Sequence, residues 1–101
     1  MGEVTIVVTI AAAGRFRGFL ASVMLEIAAG VYIAPAMTAG VRDRVWGVLA
    51  QWHADLDDDG VIVMAYPDRD MPGYHGLRFL GEPPKEIVDA DGVYLVRRSP
   101  A

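Results

Sequence analysis

The stretch EVTIVVTI, from Glu3 to Ile10, decides the fold, because it is dense in β-branched residues and a helical pattern follows it. β-branched side chains favour extended backbone, so the stretch predicts a strand with apolar groups on both faces. One face would hold Val4, Ile6, Val8 and Ile10, and the other Thr5, Val7 and Thr9. The fold class then depends on the elements that follow this strand.

Helical and extended patterns alternate after the first strand. Apolar residues recur at helical spacing from Arg15 to Ala29, and Gly30 is a suitable C-terminal stop for that helix. A short strand over Val31 to Ala34 would end at Pro35, and Thr38 can cap a second helix. The buried stripe of the second helix would consist of Val41, Val45, Val48, Leu49 and Trp52.

The second half of the chain predicts three more strands. In order, it contains an acidic turn (Asp55 to Gly60), a strand (Val61 to Tyr66), a turn (Pro67 to Gly73), a strand (Tyr74 to Leu80), a loop (Gly81 to Gly92) and a strand (Val93 to Arg98). The whole order predicts one α+β domain over residues 1–101, of the ferredoxin-like type. Two helices would cover one face of an antiparallel sheet.

Composition narrows the class of protein. The chain has 101 residues, of which 53% are hydrophobic and 22% charged, so a single folded domain is expected rather than disorder. There are no cysteines, which excludes disulfides and thiolate chemistry. The most apolar stretch, Phe19 to Ala34, is interrupted by Glu26 and Gly30 and is too short for a membrane span. No export signal is visible, and we expect a cytoplasmic protein without membrane contact.

The hydropathy of the chain predicts an oligomer. Mean hydropathy is +0.31, which is high for a chain that buries only about two-thirds of its surface alone. The odd and the even positions from Val61 to Tyr66 are both apolar, so both faces of this strand should be covered. Two helices, however, can cover only one face of the sheet. We therefore expect a twofold homodimer that stacks sheet on sheet, with the last strand able to pair with the partner sheet.

Two arginines are the strongest candidates for binding. The net charge is −4, so any contact with nucleic acid must come from a local cluster. Arg15 and Arg17 stand where the first helix begins, and helix starts favour anions such as phosphate. The alternative is that they are ordinary surface residues paired with Glu26 or Asp43. A second arginine pair, Arg42 and Arg44, is expected to form ion pairs within or between helices.

Other chemistry has weak support. Asp55, Asp57 and Asp59 before Gly60 imitate the opening of a calcium loop, but Tyr66 stands where such loops need glutamate. The segment is therefore interpreted as a solvated turn. A metal site made by the two histidines has no spacing to support it.

Several stretches together resemble a known family. They are GRFRGFL (14–20), LEIAAGVYIA (25–34), VRDRVW (41–46), VIVMAY (61–66) and DADGVYLV (89–96). In this order they closely resemble the CRISPR-associated "Cas Two" proteins of the type I-E subfamily. The resemblance covers nearly the whole chain.

The resemblance implies a ferredoxin-like homodimer that acts in spacer acquisition. Such a dimer joins subunits of the CRISPR integrase and holds double-stranded DNA by its phosphates. The phosphate contacts would fall on Arg15 and Arg17, with Lys85 the remnant of a basic pair in its loop. The tail over residues 94–101, with Val96, Arg97 and Arg98, would dock on the integrase.

The chain departs from the family at the position linked to nuclease activity. Many relatives carry an acidic residue at the end of the first strand, where Ile10 stands here, and a hydrocarbon side chain cannot ligate magnesium. Asp68 and Asp70 are weak substitutes, so no catalytic residue, metal or other cofactor is assigned. Two alternatives stay open: a metal-dependent endonuclease acting on RNA or DNA, which would use magnesium, and a regulatory module for a small ligand.

Overall fold

The computed structural model describes residues 3–56, 60–81, 86–90 and 92–97. Its helices and strands follow in the order β1 (Glu3–Ile10), α1 (Gly14–Val23), β2 (Leu25–Ala28), β3 (Val31–Met37), α2 (Ala39–Leu56), β4 (Val61–Pro67), β5 (His75–Leu80), β6 (Glu86–Ala90) and β7 (Val93–Arg97). A short 3₁₀ helix, Pro72–Tyr74, precedes β5. The calcium-like turn, Lys85, Arg98 and the last residues of the tail lie wholly or partly outside the described residues.

Five strands form one sheet in the order β2-β3-β1-β4-β5, with every neighbouring pair antiparallel. The crossovers through α1 and α2 place β1 and β3 at the centre, which is the ferredoxin-like arrangement. β6 and β7 form a separate antiparallel hairpin. The predicted α+β ferredoxin-like fold is confirmed.

Both helices pack on one face of this sheet. On β1 the side chains of Thr5 and Val7 are buried beneath the helices, whereas Ile6 and Ile10 are exposed on the opposite face. The shared core is made of Val7, Phe16, Leu20, Met24, Tyr32, Ala34, Met37, Val45, Leu49, Ile62, Met64 and Tyr66. The alternation along β1 therefore separates a covered face from an uncovered one.

The predicted helix from Arg15 to Ala29 is wrong in its second half. The helix ends at Val23, and Leu25–Ala28 forms the edge strand β2, which pairs with β3. Gly30, expected to stop the helix, lies instead in the turn between β2 and β3 at φ +77°. Apolar residues in an edge strand can match helical spacing by chance, and here the strand is selected by backbone pairing with β3.

The strand predicted to end at Ala34 continues to Met37 and passes through Pro35. Proline is tolerated because the β1–β3 register shifts there, with Thr5 opposite Ala34 and Glu3 opposite Met37. β2 also pairs no further along β3 than Ile33. At Pro35 no ladder hydrogen bond is therefore interrupted.

The predicted loop over Gly81 to Gly92 is also corrected, because residues 86–90 form β6 and pair with β7. The cap of α2 is as predicted, since Thr38 Oγ1 accepts a hydrogen bond from Val41 N–H at 3.3 Å. Of the predicted stripe, Val45 and Leu49 are buried, whereas Val41 is 43% exposed. None of the described helices combines the length and apolar character that crossing a bilayer requires.

Candidate nucleic-acid interface

The start of α1 has no side-chain cap and carries two arginines. Ala13 at the N-cap provides no side-chain hydrogen bond, and the first turn contains no acidic residue. Arg15 and Arg17 are both exposed there. Two guanidinium groups therefore add their charge to the positive end of the helix dipole.

The alternative pairing of these arginines with Glu26 or Asp43 is absent from the described part of the chain. Asp43 instead accepts from Arg78 Nη2 at 2.9 Å and lies 3.5 Å from Arg42 Nε. The predicted ion pair is thereby confirmed for Arg42, whereas Arg44 is exposed and forms none with a described residue. Hydrogen bonding from Arg78 lowers the pKa of Asp43, which keeps that carboxylate charged and engaged.

Arg15 is supported by an aromatic group from the other helix. Its guanidinium carbon lies 5.2 Å from the ring centroid of Trp52 on α2, a cation–π contact. The Trp52 ring meets Phe19 at 5.3 Å and Phe16 at 6.1 Å, both in edge-to-face geometry. The exposed arginine thus stands on an indole that packs against the core.

Arg17 interacts electrostatically with Tyr32 on β3. Tyr32 is fully buried and its hydroxyl has no hydrogen-bond partner in the described residues. Burial raises the pKa of Tyr32, and the carboxylate of Glu26 raises it further, whereas the charge of Arg17 opposes that rise. Arg17 therefore interacts with a residue of β3, whereas Arg15 contacts a residue of α2.

The uncovered sheet face is apolar from one edge to the other; we call it the open face. Register places the following side chains on it: Leu25, Ile33, Val31, Ile6, Val8, Ile10, Val61, Val63, Ala65, Leu77 and Phe79. Ile6 is 36% exposed, Ile10 45% and Leu25 61%. A continuous apolar surface of this kind is typical of a protein interface.

The structure does not bring the candidate acidic residues to the end of β1 within one protomer. Ile10 pairs with Val61, the first residue of β4, whereas Asp68 follows Pro67, the last one. Asp68 Oδ1 accepts the backbone N–H of Asp70 at 3.0 Å, a local turn contact. Seven strand residues, roughly 20 Å, therefore separate Ile10 from these carboxylates.

The histidines are engaged with backbone. His53 Nε2 donates to the carbonyl of Gly60 at 2.9 Å, and His75 Nδ1 donates to that of Gly73 at 2.6 Å. Nowhere in residues 3–56, 60–81, 86–90 and 92–97 do three potential metal-ligating side chains gather. Each histidine therefore makes a local hydrogen bond, His53 from a half-buried position and His75 from an exposed one.

The candidate docking segment is partly described. Val96 lies on β7 and is 53% exposed, and the backbone of Arg97 completes that strand opposite Glu86. A hydrogen bond of 2.7 Å from Gly73 N–H to the carbonyl of Gly92 joins the β6–β7 hairpin to the 3₁₀ segment. The hairpin thus presents an apolar residue near the chain terminus.

Two cavities bear on the small-ligand alternative. One, of about 790 Å³, lies at the start of α2, where Arg42 and Arg69 are balanced by Glu3 and Asp68. The other, of about 580 Å³, has an apolar lining that includes Val23, Leu25, Met37 and Val41. Neither concentrates one sign of charge or a set of convergent polar groups around a ligand.

The contact between Arg15 and Trp52 is a structural feature of the candidate site that sequence reasoning missed. Helical spacing placed Trp52 in the buried stripe, and it is half-buried on the side that meets α1. The separation of 37 positions leaves no local signal for the pair. The available signals were an aromatic residue near the end of α2 and a cationic residue at the start of α1, and neither indicates that the two are in contact.

These features define a small ferredoxin-like domain with an open apolar sheet face and a cationic helix start. The family model described as CRISPR-associated protein (Cas_Cas2CT1978) matches residues 4–95. The chain belongs to this CRISPR-associated, Cas2-like family and has a CRISPR-related role. The assignment to subtype I-E stays a prediction.

Proposed function

We propose that this protein is a non-catalytic scaffold of CRISPR adaptation. Two copies would associate through the open face, hold duplex DNA by its phosphates and join subunits of the CRISPR integrase. Family membership supports a role in CRISPR biology, and the arginine pair supports the DNA contact. Contacts to phosphate position a duplex without reading its sequence.

The observation that carries the proposal is the pair of exposed arginines at the start of α1. Arg15 and Arg17 are exposed and form no ion pair with a described residue, and the helix terminus has neither a side-chain cap nor an acid. Guanidinium groups donate two parallel hydrogen bonds to phosphate oxygens. Because the whole chain carries −4, this local positive site would direct any duplex to the α1 surface.

The DNA contact is tested with the Arg15→Ala/Arg17→Ala double variant in a fluorescence-anisotropy titration of duplex DNA at several salt concentrations. A dimer would lose four phosphate contacts, so the slope of log K against log salt should fall in magnitude by roughly 3–4. Unrelated duplex sequences should be affected alike.

The matched control is Arg44→Ala/Arg69→Ala, which removes the same charge from two exposed arginines elsewhere. This control should retain most of the salt slope. Equal losses in the two double variants would contradict a specific phosphate site at α1, as would unchanged binding in the first.

The open face and the terminal hairpin both support the homodimer. Burying an apolar surface that spans five strands stabilises association by the hydrophobic effect. An isolated two-stranded hairpin is marginal in water, and the described part of β5 pairs on one side only, with β4. We propose that β6 and β7 extend the partner's sheet at β5; the sequence led us to expect such pairing for the last strand alone.

Integrase docking is assigned to the end of the chain, around Val96, Arg97 and Arg98. Exposure of Val96 on β7 supports this proposal. A pull-down of the neighbouring integrase with the full chain and with a Val96→Asp variant tests it. Capture should drop at least tenfold in the variant, whereas an exposed helix variant, Gln51→Lys, should be captured as well as the parent. Full capture by Val96→Asp would contradict this assignment.

A further inference from the structure

The geometry points to Trp52 as a positioning residue that holds the Arg15 guanidinium ready for phosphate. This inference rests on the proposed function, because it concerns the same DNA contact. The two residues belong to different helices, with Arg15 in the first turn of α1 and Trp52 near the end of α2. Their separation of 5.2 Å from guanidinium carbon to ring centroid lies within cation–π range.

Trp52 is itself held in one place. Phe19 meets the indole edge to face at 5.3 Å and 69°, and Phe16 does so at 6.1 Å and 64°. Phe16 is fully buried, so the aromatic cluster is continuous with the core. A guanidinium placed over this ring therefore loses part of its conformational freedom before any DNA arrives.

Contact with an aromatic face leaves the edge of the guanidinium available. A guanidinium has five N–H donors that point outward in its plane, and a cation–π contact consumes none of them. Arg15 forms no ion pair within the described residues, so no carboxylate among them competes for these donors. The arrangement suits a bidentate contact with a phosphate oxygen pair.

A second arginine in the same protein shows the contrast. Arg78 also lies near an aromatic ring, at 5.0 Å from the centroid of Tyr66. Its Nε donates to the Tyr66 hydroxyl at 3.0 Å and its Nη2 donates to Asp43 at 2.9 Å. Two donor groups of Arg78 are therefore used internally, whereas Arg15 is exposed and forms no ion pair with a described residue.

A double-mutant cycle on duplex affinity tests the inference, with the variants Trp52→Leu, Arg15→Ala and the two combined. Removing the indole should weaken binding about three- to tenfold when Arg15 is present, and by less than about 1.5-fold when it is replaced. Trp52→Phe keeps an aromatic face and should lose less than Trp52→Leu. Trp46→Leu, which replaces a half-buried tryptophan outside this contact, is the control and should leave affinity unchanged.

The outcomes separate the two hypotheses. If Arg15→Ala weakens binding but Trp52→Leu weakens it equally in both backgrounds, the positioning role is overturned and the phosphate site stands. If Arg15→Ala has no effect, both the phosphate site at Arg15 and the positioning role are overturned.

A fluorescence measurement covers the case in which Trp52→Leu fails to fold. In a Trp46→Phe variant, Trp52 is the single tryptophan, because the chain has two. Titration with duplex DNA should change the emission of Trp52, because a phosphate bound to Arg15 partly neutralises the positive charge that lies next to the indole ring. The change should disappear in Trp46→Phe/Arg15→Ala. An emission unaffected by DNA, or affected equally without Arg15, would overturn the inference.

Discussion

Arg78 Nη2 donates a hydrogen bond of 2.9 Å to the carboxylate of Asp43, which joins the edge strand β5 to helix α2. The same arginine donates through Nε to the hydroxyl of Tyr66 at 3.0 Å. Arg42 lies over the Tyr66 ring at 3.9 Å, so one aromatic ring and one carboxylate serve two arginines. This cluster ties the sheet to the helix layer at the end of β4.

The Asp43 contact predicts a pH dependence of stability. Hydrogen bonding from Arg78 lowers the pKa of Asp43 in the folded protein. The Asp43–Arg78 contact therefore stabilises the fold fully above the usual aspartate pKa, about 4, and this stabilisation is lost as the pH falls through the lower pKa of the folded state. Since Asp43 is 56% exposed, Asp43→Asn should lower the Tm by only about 2 °C at pH 7. The difference should vanish toward pH 2 in thermal unfolding followed by circular dichroism.

Asp55→Asn is the control, because Asp55 is an exposed acid on the same helix. It should change the Tm little at any pH. A pH-independent deficit in Asp43→Asn would contradict the assigned cause.

Gly30 predicts a large effect of a single methyl group. It adopts φ +77°, its carbonyl accepts the N–H of Thr9 at 2.7 Å, and a Cβ would lie 2.8 Å from the Thr9 carbonyl oxygen. Gly30→Ala should lower the free energy of unfolding by about 2 kcal/mol or more, because it adds backbone strain and a clash in the β2–β3 turn. Urea unfolding measures the change.

Gly47→Ala is the matched control in the middle of α2. A Cβ there would meet nothing within 4 Å, so the change should raise stability by about 0.5–1 kcal/mol. If neither Gly30→Ala nor Gly47→Ala changed the free energy of unfolding, the turn at Gly30 would carry no strain.

The open face predicts a change of oligomeric state. Ile6 lies at its centre, opposite Ile33 on β3 and Ala65 on β4, and is 36% exposed. Ile6→Lys should convert a homodimer into a folded monomer of 10.9 kDa, because a buried unpaired charge opposes stacking of the two sheets. Sedimentation equilibrium, with circular dichroism to confirm folding, measures the mass.

Gln51→Lys, on the exposed helix surface, should leave the dimer intact. A parent protein that sediments as a monomer at high micromolar concentration would contradict the proposed assembly, as would a dimer that survives Ile6→Lys.

The chemistry at the end of β1 predicts the outcome of a nuclease assay. Ile10 offers no oxygen ligand, and Asp68 and Asp70 follow the opposite end of β4. Purified protein with magnesium or manganese should therefore cleave neither single-stranded RNA nor duplex DNA faster than an Asp68→Asn/Asp70→Asn variant. Cleavage that disappears in this variant would favour the endonuclease alternative instead.

Local sequence signals predicted much of the fold. The β-branched run over Glu3 to Ile10 and the cap at Thr38 depend on near neighbours in sequence, and both were correct. Arg15 and Arg17 could be placed at a helix start for the same reason, although their lack of ion-pair partners among the described residues could not be known. The predicted end of the first helix was wrong because residues 25–28 pair with β3 as a strand, although their apolar residues follow helical spacing.

By itself, the sequence determined the antiparallel α+β class, an apolar surplus on the sheet and a positive charge at the start of α1, because side-chain periodicity and helix-terminal chemistry are local properties. The tertiary structure alone decided that Trp52 lies against Arg15, that the apolar surplus forms one continuous face, and that Asp68 lies far from Ile10. Those relationships join residues distant in sequence, and they exist only once strand order and helix packing have been chosen.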